Sequence, residues 1–166
     1  MPVSTVLKNF TDGLVTFVDN TGAPISAALK YDNGDFSVSG MRVGMQVTTR
    51  YQGRGVFRGS RLGEFEPLAF TITCQMADFT AATGSVNPLD IMRKAGPFAL
   101  AVSKYGANAQ LMAYNLVFSV EGTNFGDSAD HTLTLANCEI ETIDFAEGDP
   151  NSFSINGVCT GGWTST

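Results

Sequence analysis

The nine residues LAFTITCQM, Leu68 to Met76, place Leu68, Phe70, Ile72, Cys74 and Met76 on one side and Ala69, Thr71, Thr73 and Gln75 on the other. Side chains of an extended chain point alternately to opposite faces, so this period of two predicts a strand with one face against a core. MAYNLVFSV repeats the pattern, with Met112, Tyr114, Leu116, Phe118 and Val120 alternating against Ala113, Asn115, Val117 and Ser119. Shorter runs at 14–19, 25–31, 35–51, 97–104, 132–145 and 152–160 follow it less regularly. So many half-buried strands predict a mainly β fold.

Turn chemistry divides these runs. DNTGAP separates the first two, and Asp32, Asn33 and Gly34 stand between the second and third. Asn-Gly supplies the positive φ angles of a tight hairpin, so the first third is expected to be a meander. At Gly40 the apolar phase slips from Phe36 and Val38 to Met41, Val43, Met45 and Val47, as one bulged residue in a bent strand would make it do. One short helix is expected in SVNPLDIMRKAGP. Asn87 caps it, Pro88 suits its first position, Asp90 answers one end of the dipole and Arg93 with Lys94 the other, and Gly96-Pro97 stops it. Leu89, Ile91 and Met92 assign this helix to the core, not to chemistry.

At 166 residues the chain suits one domain, residues 1–166, and no repeat or long linker divides it. With 43% apolar and 16% charged residues it reads as a folded globule, and its 18 glycines promise many turns. No stretch approaches the roughly 18 apolar residues of a membrane span, and MPVSTVLKNF lacks the apolar run of a signal peptide. A soluble chain made in a cytoplasm, without membrane contact, is expected. Cys74, Cys138 and Cys159 form no closely spaced pair, and the alternating pattern makes them small apolar fillers instead of metal ligands or disulfide partners.

Charge is segregated along the sequence. Arg42, Arg50, Arg54, Arg58 and Arg61 fall in a stretch without a single acid. After Lys104 there is no Lys or Arg, yet Glu121, Asp127, Asp130, Glu139, Glu141, Asp144, Glu147 and Asp149 follow. A basic middle thus precedes an acidic final third.

No constellation of catalytic or cofactor-binding residues stands in the sequence. The single histidine, His131, has no ligand-spaced cysteine or second histidine, and no nucleophile elbow, zinc-protease or phosphate-loop motif occurs. Gly53, Gly55 and Gly59 leave the wrong spacing for a dinucleotide fingerprint and lead into a strand, not a helix. The acidic turns with Asp127, Asp130, Glu147 and Asp149 lack the alternating ligand spacing of a calcium loop. Asn9-Phe10-Thr11 is a glycosylation sequon without a secretory signal. No enzyme, cofactor or metal is expected.

That leaves GRGVFRGSRLGEFEP, which follows Tyr51 and Gln52 and is read as an extended Gly/Arg loop at about 52–67. Arginines beside Tyr51 and Phe57 would suit single-stranded nucleic acid, but a net charge of −6 opposes stable binding to a polyanion. A basic arm and an acidic strand complement each other between copies. Placed on different faces they make a head-to-tail contact, which closes into a ring or runs on as a filament. Val56, Phe57, Leu62 and Phe65 leave a second form open for the stretch, a strand hairpin.

The order of these parts resembles the tail tube proteins of long-tailed (siphovirus-like) bacteriophages: YDNGDFSVSG, the Gly/Arg stretch, LAFTITCQM, NPLDIMRKAG, AQLMAYNLVFSVEG, then HTLTLANCEIETIDFAEGDPNSFSINGVCTG. The resemblance implies a single-domain β-sandwich or half-barrel with one short α-helix. It implies a virion structural protein whose hexameric rings stack into the tail tube, the conduit for genome ejection. Its partners would be further copies of itself, a tail terminator, a tape measure and baseplate or tail-tip proteins, with DNA passing through transiently and without stable binding. Its place would be the phage tail, assembled in the host cytoplasm. Arg50, Arg54, Phe57, Arg58 and Arg61 would then form the inter-subunit arm. Glu139, Glu141, Asp144 and Glu147 would offer the acidic partner surface or the lumen. Two alternatives stand beside this reading. One is a tail terminator or head-tail joining ring that does not polymerise; the other is a monomeric β-sandwich binding module using Trp163, Tyr51 or Tyr105 as an aromatic platform.

Overall fold

The computed structural model describes residues 14–21, 26–29, 31–75, 88–120, 129–148 and 151–166. Its strands are β1 (Leu14–Val18), β2 (Ser26–Leu29), β3 (Tyr31–Ser39), β4 (Gln46–Gly53), β5 (Val56–Phe65), β6 (Leu68–Gln75), β7 (Ala113–Val120), β8 (His131–Ala146), β9 (Ser152–Cys159) and β10 (Trp163–Ser165). A short helix, α1 (Pro88–Arg93), and two single-turn 3-10 segments interrupt them. Strands β2, β1, β7, β8, β9, β6 and β3 lie side by side in that order, β10 adds to β8, and among the described residues β4 pairs only with β5. Every pairing is antiparallel.

The alternation read from the sequence becomes burial. On β6, Leu68, Phe70, Ile72 and Cys74 are buried while Ala69 is exposed, and on β9 Phe153, Ile155 and Cys159 face the same interior. Registers such as Ile72 opposite Ile155 and Cys74 opposite Phe153 stack these side chains across the strands. Phe36 of β3 stacks on Phe118 of β7 with ring centroids 5.4 Å apart, although three strands lie between them in the sheet order. The sheet is therefore curled into a half-barrel, with its apolar face inside.

One end of that interior is closed by α1 and the 3-10 turn Gly96–Phe98, which deliver the buried side chains Ile91 and Phe98. Tyr114 meets Phe98 and Phe17 edge to face, at 5.5 and 6.0 Å, and its hydroxyl donates to the Ile91 carbonyl at 2.8 Å. Fully buried Asp19 fastens the following segment to the end of β1. Its Oδ2 accepts from the Val102 amide at 3.0 Å, while the Asn20 amide donates to the Val102 carbonyl at 2.9 Å. Paired in this way, a buried carboxylate avoids most of its desolvation penalty.

Three expectations give way to the structure. Asn33 and Gly34 lie inside β3, where the register with β6 shifts between Tyr31 and Phe36, and form no turn between β2 and β3. β2 and β3 sit at opposite edges of the sheet, so the first third is not a meander. The run at 35–51 is two strands. Gly40, Gly44 and Met45 have φ of 82°, 64° and 53°, and successive left-handed residues break a ladder where a single bulge would only bend it. The run at 97–104 is a 3-10 turn followed by irregular chain held by Asp19 and by Ser103, whose Oγ accepts from the Ala113 amide at 3.0 Å. The helix is in its expected place, although its first left-handed residue is Lys94 (φ 51°), ahead of Gly96. Met76 and the Asn87 cap lie outside the described residues.

Candidate assembly surface

The Gly/Arg stretch is a β-hairpin, not an extended loop at 52–67. β4 and β5 are joined by Arg54 and Gly55, with φ of 52° and 77°, the pair of positive φ values that suits the twist of antiparallel strands. Thr48 stands opposite Leu62 and Arg50 opposite Ser60, so these four share one face; Thr49, Tyr51 and Arg61 share the other. Near the tip Tyr51 pairs with Gly59 but Gln52 with Phe57, which leaves Arg58 as the extra residue of a bulge. The arginines therefore do not converge on one point. Arg50 and Arg61 face opposite ways, Arg54 is in the turn and Arg58 at the bulge. The Arg61 guanidinium lies 5.3 Å from the centre of the Tyr51 ring, which holds that cation flat against the strand.

Both faces of this hairpin meet water. Val56, Phe57 and Leu62 are 61%, 60% and 57% exposed, and Phe65 and Tyr51 are exposed as well. Beyond their mutual pairing, β4 and β5 make no extensive contact with another element among the described residues. Only the base is fastened. Arg42 forms an ion pair with Glu66, the Glu66 amide donates to the Met45 carbonyl at 2.9 Å, and the Met45 side chain is buried against Gly162. Gly63 is required here, because a Cβ would stand 2.9 Å from the Val47 carbonyl oxygen.

The acids lie on the half-barrel. Glu139 is half-buried, and its Oε1 accepts from the Tyr105 hydroxyl at 2.5 Å. Burial, and then this carboxylate, push the Tyr105 phenol above its ordinary pKa. Glu141 is exposed where the β8–β9 register shifts between Ile140 and Thr142. Asp144 accepts through Oδ2 from Asn156 Nδ2 at 3.3 Å, and Glu147 is exposed just beyond β8. The structure thus keeps the two charged sets on separate elements, with the arginines on a projecting hairpin and the acids along one long strand.

The remaining candidates do not gather into a reactive centre. Among the described residues no three His, Cys, Asp or Glu side chains come together as a metal-holding group, and no helix is long and apolar enough to cross a membrane. Asp127, Asp149 and the sequon Asn9-Phe10-Thr11 lie outside the described residues. All three cysteines are free and buried, and burial pushes the Cys74 thiol up to about 11. Cys138 and Cys159 face each other across β8 and β9, a pairing that their separation in sequence conceals. Trp163 of β10 lines a groove of about 450 Å³ at the base of the hairpin, together with Arg42, Val43 and Phe65. Sequence reasoning missed this groove because its walls come from three distant segments.

No protein-family model matches the sequence, and no curated protein matches it. Similarity is found among solved structures. A chain of the PVC extracellular contractile injection system, from its sheath-tube complex in the extended state, superposes with a TM-score of 0.55 at 12% identity, over 100% of this chain and 92% of the other. A chain of the sheath/tube terminator of the same system gives 0.54 at 13% identity, over 100% and 97%. A chain of the tube-terminating cap of the anti-feeding prophage gives 0.55 at 13%, over 100% and 94%. At such identities the likeness is one of fold. This chain shares its fold with chains of a sheath-tube complex, a sheath/tube terminator and a tube-terminating cap, a likeness not specific to the tails of siphovirus-like phages.

Proposed function

We propose that this chain is a non-enzymatic structural subunit of a phage-like tail or injection tube, in which hexameric rings stack into a conduit for DNA. The observation that carries the proposal is the β4–β5 hairpin, two-faced and fastened only at its base, on a half-barrel shared with tube-complex chains. An uncovered hairpin of this length is marginal alone and gains its stability from a second surface. The arm residues are Arg50, Arg54, Phe57, Arg58 and Arg61, and the receiving acids on another copy are Glu141, Asp144 and Glu147, with Glu139 held in place by Tyr105. Acids left facing a lumen would keep DNA from sticking, since phosphate contacts need cations. A tail terminator, a tape measure and baseplate proteins are the further partners of this reading, and its location is the released particle, after assembly in the host cytoplasm.

A second reading has its own support, because the terminator and cap chains superpose as well as the tube-complex chain. In that reading the chain makes one ring that never elongates. Electron microscopy of purified protein across a range of concentrations separates the two. Hollow tubes are the result for a tube subunit and single rings for a terminator, while a monomer at every concentration would overturn both. Arg54→Glu with Arg58→Glu should abolish stacking and leave the circular dichroism of the folded monomer unchanged.

A further inference from the structure

An apolar groove of about 640 Å³ opens in the half-barrel, lined by Phe36, Val38, Met41, Phe118, Val120 and Leu133. Its polar border is His131, Thr132, Ser165 and Thr166, with no lysine or arginine among the described lining residues. Met41 stands just ahead of the turn that leads into β4, so the groove reaches the root of the hairpin. At the other end of the hairpin, Val56 and Phe57 form an exposed apolar tip flanked by Arg54 and Arg58. Knob and groove therefore belong to one molecule but are held apart. The 8 residues of β4 span roughly 25 Å at about 3.3 Å per residue. β4 is bonded to β5 from Gln46 to Gly53, which keeps the hairpin extended and its tip away from its own root.

Resting on the assembly reading above, we infer that the hairpin tip of one copy inserts Phe57 into the Phe36–Phe118 groove of a second copy. Charge favours this groove over its neighbour. In the groove beneath Trp163 the cation Arg42 already takes Glu66 and no acid lines the walls, so a tip bearing Arg54 and Arg58 gains nothing there, whereas the apolar groove, bordered by His131 and hydroxyls, adjoins Asp130 in the chain. A knob and a complementary pocket at separate places on one surface generate a heterologous contact that repeats without closing on a dimer. The inserted aromatic supplies the affinity, and the arginines around it set the orientation.

The test places a photoreactive benzophenone amino acid at Met41, which is exposed on the groove wall, and irradiates the full chain under assembling and dilute conditions. The expected product is a cross-linked dimer whose joined peptides are the groove wall of one molecule and residues 54–58 of another. It forms only under assembling conditions, and Phe57→Ser should raise the concentration of half-assembly about tenfold. Cross-linking within one chain to residues 2–13, a product mapped elsewhere on the neighbour, or unchanged assembly in Phe57→Ser would overturn the inference. Sedimentation of the same samples separates the two failures. Rings or tubes without the link between positions 41 and 57 remove this contact and leave the tube reading standing, whereas a monomer at all concentrations removes both.

Discussion

Along β6, Leu68, Phe70, Ile72 and Cys74 lose nearly all contact with water, whereas on β5, Val56, Phe57, Leu62 and Phe65 each remain more than half exposed. Both strands are antiparallel, but β6 is bonded along two edges, to β3 and β9, and β5 along one, to β4. A second bonded edge does not by itself cover a strand's face. What differs is the second layer: β6 looks across the half-barrel onto β1 and β7, as in the Phe17–Phe70 edge contact at 6.5 Å, while β5 looks onto solvent. Burying a large apolar side chain stabilises by about 1.5–3 kcal/mol, so the sheet is stable within one chain and the hairpin holds most of its apolar surface in reserve. A strand pattern specifies which side chains share a face, but whether that face is covered depends on what else is present.

The sharpest break of this comparison is at Gly157. A Cβ there would lie 2.1 Å from the Glu139 carbonyl oxygen and 2.7 Å from the Phe70 ring, so Gly157→Val should cost more than about 3 kcal/mol in urea unfolding. Next comes a matched pair of truncations. Phe70→Ala should cost about 3–5 kcal/mol, and Phe57→Ala should change the stability of the dilute monomer by less than about 0.5 kcal/mol. Equal losses at the two sites would show that the hairpin is packed within its own chain.

Smaller effects follow. Asp19→Ala leaves the Val102 amide without its carboxylate acceptor, at an expected cost of about 1–3 kcal/mol by thermal melt or urea. Alkaline pH should weaken the sheet specifically. Burial raises the Cys74 thiol from 9.0 to about 11, so over that interval the unfolded chain releases its proton while the fold retains it. Stability is therefore intact below pH 9 and falls as pH rises toward 11, and Tyr114, raised first by burial and then by Asp19, acts in the same direction. Cys74→Ala should flatten part of that slope in melting curves.

Much of the half-barrel was legible in the sequence, because residues such as Leu68, Phe70, Ile72 and Cys74 alternate strictly and sit on the buried face of their strand. Partners at long range were not. Asn33-Gly34 has the composition of a hairpin turn, yet β3 bonds to β6 and spends those residues on a register shift. The apolar residues of 97–104 suggested a strand, but the acceptor that fixes them, Asp19, is contributed by a segment some eighty residues earlier. The grouping of Arg50, Arg54, Arg58 and Arg61 was visible as a charge run, while their dispersal over two faces, a turn and a bulge depends on register. The pairing of Glu139 with Tyr105 and the grooves on either side of β10 require tertiary contacts that no local pattern encodes.

Hydrogen exchange on the β4–β5 amides, measured in dilute monomer and in concentrated assemblies, tests most directly the claim that this hairpin is completed by further copies. Rapid exchange across residues 46–65 is expected in the monomer, with strong protection on assembly and little change in β6 to β9. Protection of the hairpin equal to that of β6 in a dilute monomer, or exchange that stays rapid once particles have formed, would contradict it.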